Sequence, residues 1–167
     1  FVPAMGYKFV RADISQEEPR IAAFLAGDET MQRRLDRNED IYLPVAQTLY
    51  EIAIKPGERS AKPLTKADKR WRDPAKTIWL AKLYGAQAQK IQQAAATFGI
   101  NITRLQATRL DKWFDTEYPQ IAGYAAKQFT LLREKGYVET FFGRRRWIPK
   151  GSSGNYAEQQ AAKREAA

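Results

Sequence analysis

Apolar residues along this chain recur mainly every three to four positions, the period of helices packed on one face, with two short β-prone exceptions. The first exception, Tyr7 to Ala12 (YKFVRA), follows Gly6 and stops at Asp13, which predicts a strand with a carboxylate at its C-terminal end. Ser15 and Glu18 then stand at capping-box spacing, and Ile21, Phe24 and Leu25 continue at helical intervals until Gly27, predicting a tight turn and a helix. Helices also follow near Glu29–Arg37 and Ile41–Tyr50, the second with Leu43, Ala46 and Tyr50 as its buried stripe. Lys55 to Lys69 is rich in Lys, Pro, Gly and Ser without apolar period, and reads as a solvated basic loop. Beyond it, Asp73 as N-cap and Pro74 as first helical residue open a helix that Gly85 closes. Three more helices are predicted near Ala86–Thr97, Thr103–Glu117 and Pro119–Lys135. The second exception, Tyr137–Thr140 with Arg146–Ile148, flanks FFGRR and reads as a hairpin turning near Gly143; Asn155–Ala167 has helical propensity but few large apolar residues. The predicted fold class is α+β, predominantly helical, with a short strand and a β-hairpin.

Composition narrows the chemistry. The chain has 167 residues, with 28 Lys plus Arg against 19 Asp plus Glu, a formal charge of +9 that favours a polyanionic partner. It has neither Cys nor His, which excludes disulfides, thiolate or imidazole metal sites, and Cys or Ser-His nucleophile systems. Any reaction must run on carboxylates, Lys, Arg and Tyr. No apolar window approaches a membrane span, and the N-terminus lacks a signal-peptide pattern, so an intracellular location (cytoplasm, nucleoid, or host cytoplasm if viral) is the expectation. Phe1 in place of an initiator Met, and a helix that reads as half-finished at Ala167, suggest a piece of a longer protein.

Three segments could carry chemistry. In DISQEEPR, the strand-end carboxylate of Asp13 beside a free backbone carbonyl suits a hard divalent cation such as Mg²⁺; the plain alternative is a strand end followed by a capped helix. In RDPAKTIWLAKLYG, Arg72, Lys76, Leu80 and Tyr84 recur every four residues, each step climbing about 6 Å and turning about 40°. Two cations near a helix N-terminus suit phosphates, and an apolar then an aromatic side chain further along suit a sugar and base. An amphipathic surface helix with Leu80, Leu83 and Tyr84 in a core would give the same spacing. If that helix starts at Pro74, Arg72 lies just outside it. In GRRRWIP, Arg144, Arg145 and Arg146 interleave with Tyr137, Phe141, Phe142 and Trp147 as charge and stacking surface for nucleic acid, or form a solvated turn over packed aromatics.

In this order and at these separations, the segments resemble the polymerase domain of family A DNA polymerases. FVPAMGYKFVRADISQEEPR resembles the first palm strand and motif A, RDPAKTIWLAKLYG resembles motif B on the fingers helix, and EKGYVETFFGRRRWIP with AAKRE resembles the following hairpin and the start of the next palm helix. The resemblance implies a partial palm over residues 1–27, fingers over 28–135 and a return to the palm over 136–167. Asp13 would then be one of two aspartates holding paired Mg²⁺ ions, with the Ile14 carbonyl as a further ligand. Glu18 would be a steric gate beneath the incoming sugar, packing with Tyr84. Arg72 and Lys76 would hold the triphosphate, with Lys76 able to protonate departing pyrophosphate. Leu80, Tyr84 and Gly85 would line the incoming nucleotide. Ser15, Gln16 and Arg20 would lie near the nascent pair or primer, with Arg144, Arg145, Arg146 and Arg164 toward primer-template DNA. Implied partners are primer-template DNA, dNTPs and the remainder of a parent polymerase, and no membrane.

Departures from the family pattern carry expectations of their own. Leu80 stands where Phe or Tyr is usual, and Pro19 where a larger aliphatic residue is usual, so altered speed, fidelity and gate aim are expected. The chain stops before the family's Asn-x-Pro-x-Gln-Gly and His-Asp-Glu segments, so the isolated chain is expected to lack turnover. A single-subunit RNA polymerase shares the fingers-helix spacing but would not be expected to show the Ser-Gln-x-Glu gate. A non-enzymatic basic helical module that binds nucleic acid through charge is the other alternative.

Overall fold

The structure, a computed structural model, describes residues 2–60 and 62–148. Among them it forms seven α-helices and one two-stranded hairpin: α1 (Glu17–Ala26), α2 (Glu29–Asp36), α3 (Tyr42–Ala53), α4 (Lys69–Leu83), α5 (Ala88–Ala96), α6 (Arg104–Glu117), α7 (Pro119–Lys135), β1 (Tyr137–Glu139) and β2 (Arg145–Trp147). The strands pair antiparallel with Val138 opposite Arg146. The mainly helical α+β reading holds, while the helix expected over 155–167, with Arg164, lies outside the described residues.

Helix α4 is the axis of the fold. It packs on α3, α5, α1 and α7, and buries Trp71, Pro74, Ala75, Ile78 and Trp79 along one face. Trp79 is fully buried between Tyr42 at 6.2 Å, Phe114 at 5.9 Å and Tyr118 at 6.1 Å, so rings from α3, α6 and the α6–α7 junction meet edge-on around one indole. Such contacts add about 1 kcal/mol each to what burial alone provides. A salt-bridged cluster continues the same face toward the end of α4: Lys82 Nζ lies 2.5 Å from Asp111 and 2.8 Å from Asp115 on α6, over the Phe114 ring. Asp111 also accepts the Ala88 N–H at 3.2 Å, so one carboxylate ties the end of α4 to the start of α5.

Three expectations are corrected. Tyr7 to Ala12 is not a strand: among the described residues the sheet contains β1 and β2 alone, so this β-prone run has no ladder partner, and the Tyr7 N–H turns back to the Ala4 carbonyl at 3.0 Å. The Ser15/Glu18 capping box does not form. Helix α1 instead begins after Gln16, a left-handed residue at φ 56° with no side-chain cap, and the local turn takes precedence over the sequence spacing. Finally, α4 starts at Lys69 rather than Pro74, which therefore sits inside it. Trp71 supplies the reason. Its ring packs edge-on against Tyr50 at 5.1 Å and is buried, and that contact holds a helical turn ahead of a proline that local propensity would place at the start. By contrast, α6 opens with the full Thr103/Gln106 capping box.

Candidate active site

The longer α4 changes the geometry of the cationic stripe. Arg72 lies within the helix, so Arg72, Lys76, Leu80 and Tyr84 share one ridge about 18 Å long at 1.5 Å per residue. The ridge borders the buried face, with Tyr42 shared between Trp79 and the two cations: Lys76 and Tyr84 are exposed, Arg72 and Leu80 half-buried. Leu80 and Leu83 also rest against the core, so part of the amphipathic alternative is correct for them, while Tyr84, at 57 % exposure, is no core residue.

Two residues that the sequence reading missed organise the N-terminal half of the ridge. The Arg72 Nε donates to Asp40 Oδ2 at 2.6 Å, and the Asp40 side chain is only 2 % exposed. The other oxygen of Asp40 accepts the Tyr42 N–H at 3.1 Å. The Tyr42 ring lies under both cations, 5.4 Å from the Arg72 guanidinium carbon and 6.0 Å from Lys76 Nζ. Burial, then the charges of Glu18 and Asp40, push the Tyr42 phenol up to about 12 against a smaller opposing effect of Arg72. Glu18 of α1, the Asp40–Tyr42 loop and Arg72 of α4 therefore share one electrostatic neighbourhood. Asp40 sits in NEDIY, a polar stretch ahead of a helix; its place just before α3 was the sole signal, because its partner is 32 residues away.

At the other end of the ridge, Glu18, Tyr84 and Gly85 line one cavity of about 300 Å³ together with Ala22, Leu83 and Phe129. Gly85 takes φ 78°, and a Cβ there would stand an ordinary 3.7 Å from the Phe129 ring, so backbone conformation rather than space favours glycine.

The remaining candidates are distributed differently. Asp13, Ile14 and Ser15 are exposed on the segment that leads into α1. A carboxylate and a main-chain carbonyl are the hard oxygen donors Mg²⁺ takes, but no three acidic side chains gather into a metal site among the described residues. Asp13 and Ile14 fit the chemistry of the ion without completing its ligand set. The Gln16 side chain is occupied: its amide donates to the Glu39 carbonyl at 3.3 Å and accepts the Ile41 N–H at 3.4 Å, tying the turn after Asp13 to the loop that carries Asp40. Arg20 is likewise engaged within the chain, with the Ser15 carbonyl at 3.1 Å, the Leu35 carbonyl at 2.9 Å and Asp36 at 3.5 Å.

In the hairpin, Arg144, Arg145 and Arg146 line a groove of about 1190 Å³ with Arg20, Phe24, Phe141 and Phe142. Phe141 packs on Phe24 at 5.2 Å and on Phe142 at 5.3 Å, yet Phe141 is 66 % and Phe142 92 % exposed. Arg145 reaches Glu139 at 2.6 Å and stacks 4.8 Å from Tyr137, and the hydrogen bond to Glu139 raises its pKa further.

The sequence profile of DNA polymerase family A matches residues 1–167, the whole chain. The chain belongs to that family. Among curated members of family A, DNA polymerase I of Thermus thermophilus is 30% identical over 164 residues, 98% of this chain and 18% of its own length. DNA polymerase I of Chloroflexus aurantiacus is 32% identical over 166 residues, 99% of this chain and 16% of its own. The chain thus spans less than a fifth of these relatives. Among solved structures, the POL domain of Pol1 from M. smegmatis in complex with DNA primer-template and dNTP superposes with a TM-score of 0.69 at 25% identity, covering 92% of this chain and 24% of that one. No described helix is long and apolar enough to cross a membrane.

Proposed function

We propose that this chain supplies the incoming-nucleotide side of a template-directed DNA polymerase. The observation that carries the proposal is the order along α4: Arg72 and Lys76 over the Tyr42 ring at one end, Tyr84 and Gly85 sharing a cavity with Glu18 at the other. Triphosphate, sugar and base of a dNTP follow the same order. Arg72 and Lys76 bind the phosphates, and Lys76, exposed and cationic, gives a proton to the departing pyrophosphate. Glu18 and Tyr84 close on the sugar, so a 2′-hydroxyl either clashes or strips water from the carboxylate. Leu80 offers the nucleotide an aliphatic contact in place of a ring. Asp13 and the Ile14 carbonyl are the residues that would hold Mg²⁺, which when bound would supply positive charge to offset that of the triphosphate. The primer 3′-hydroxyl attacks the α-phosphate in line, positioned by the groove of the hairpin and by Ser15. Residues 1–27 and 136–167 serve as palm, and 28–135 as fingers.

Primer extension tests this directly. With Mg²⁺ and all four dNTPs the isolated chain should not extend a primer, because the described residues gather no complete carboxylate set; it should bind DNA weakly, with affinity falling steeply as salt rises. Clear extension, or DNA binding indifferent to salt, refutes this reading. In a full-length polymerase carrying this segment, Asp13→Ala should abolish incorporation and Glu18→Ala should admit ribonucleotides more readily, measured as the ratio of dNTP to rNTP incorporation. A merely basic nucleic-acid-binding module would leave both unchanged.

A further inference from the structure

The loop between α2 and α3 is tied on both sides. Gln16 grips it from the turn after Asp13, through the Glu39 carbonyl and the Ile41 N–H, and Arg72 reaches it from α4 through Asp40. Both Asp40 oxygens are committed, one to the Tyr42 N–H at 3.1 Å and one to Arg72 Nε at 2.6 Å, so the carboxylate has a fixed orientation before any ligand arrives. The bridge uses Nε alone. The two terminal nitrogens of Arg72 make no hydrogen bond or ion pair among the described residues, and the guanidinium plane is held by the Tyr42 ring 5.4 Å away. A guanidinium fixed at its inner nitrogen presents its outer two as a fork, the geometry that pairs with phosphate oxygens. Asp40 lies behind it, 2 % exposed, and is not itself offered to an anion.

We infer that Asp40, with Tyr42, is a positioning residue that aims the outer nitrogens of Arg72 at the triphosphate of the incoming nucleotide. The inference rests on the triphosphate role proposed for Arg72. Without Asp40, Arg72 samples its long-chain rotamers, and ordering it has to be repeated at each binding event. The alternative relation, in which Asp40 competes with phosphate for the guanidinium, makes the opposite prediction for its removal.

The experiment titrates the 167-residue chain with inorganic tripolyphosphate, following the Lys76 side-chain resonances by NMR in every protein and those of Arg72 where it is present, for the unmodified chain, Arg72→Ala, Asp40→Asn and the double variant. Asp40→Asn keeps the acceptor for the Tyr42 N–H and replaces the oxygen facing Arg72 by an amide, so the loop turn is preserved; matching circular dichroism and Tm verify this, and Asp40→Ser serves in its place if they fail to match. Expected are a loss of roughly tenfold for Arg72→Ala, a loss of about five- to tenfold for Asp40→Asn, and no further loss in the double variant. A purely structural Asp40 would weaken binding by the same factor whether or not Arg72 is present, and that result overturns the inference. So does Asp40→Asn binding as well as, or better than, the unmodified chain while Arg72→Ala binds worse. If Arg72→Ala binds like the unmodified chain, the triphosphate role of Arg72 itself fails and the inference goes with it.

Discussion

Tyr42 and Tyr118 show how burial sets the chemistry of single side chains. Both phenols are about 2 % exposed, and burial is the main reason each is pushed up to about 12. In the unfolded chain they ionise near 10. Below that pH neither state has lost the proton and their stabilisation is complete; between 10 and 12 the unfolded chain releases protons that the folded chain retains, so stability falls as pH rises. Unfolding free energies from urea titrations should therefore decline more between pH 9 and pH 11 for the native sequence than for a Tyr42→Phe/Tyr118→Phe variant, by about 1 kcal/mol per tyrosine. Equal slopes would remove this account. Gln16 illustrates a different constraint at the same scale. Its φ of 56° is costly for a residue with a Cβ, and its two hydrogen bonds to the 39–41 loop hold it there.

Among the elements, α4 has the most uneven division of labour, with its buried face carrying stability and the ridge beside it carrying the proposed chemistry. Trp79→Ala opens a cavity under three rings and should cost about 3–5 kcal/mol in chemical denaturation. Trp79→Phe keeps a ring among Tyr42, Phe114 and Tyr118 and should cost less than Trp79→Ala in the same measurement. The Lys82 cluster is the second support. Lys82 is 10 % exposed between Asp111 and Asp115, so Lys82→Met leaves Asp111 partly buried without its cation and should lower stability by about 1–3 kcal/mol. Calorimetry showing an unchanged Tm would make that cluster dispensable. The start of α4 was not legible from local signals, since Asp73-Pro74 is a good helix opening and the Trp71–Tyr50 contact that overrides it spans 21 positions of sequence. Helices whose ends are written locally fared better: Thr103 with Gln106 opens α6, and Pro119 with Gly136 bounds α7.

For the whole molecule, two kinds of information came from different sources. The sequence by itself determined the family, the helical class, the positive charge, and the spacing that lays Arg72, Lys76, Leu80 and Tyr84 on one ridge, because each of these is set by residue type and by the 3.6-residue period alone. Apolar periodicity likewise foretold most helices. It misled at Tyr7–Ala12, where β-propensity is satisfied only by a neighbouring strand and the described residues provide none. Tertiary structure alone decided that Asp40 and Tyr42 underlie the cations and that Gln16 joins the turn after Asp13 to their loop. The physical reason is distance along the chain. A buried carboxylate needs a cation, and a ring needs something to stack on, but no local rule says which of 28 Lys and Arg will arrive; only the packing of α3 against α4 selects Arg72.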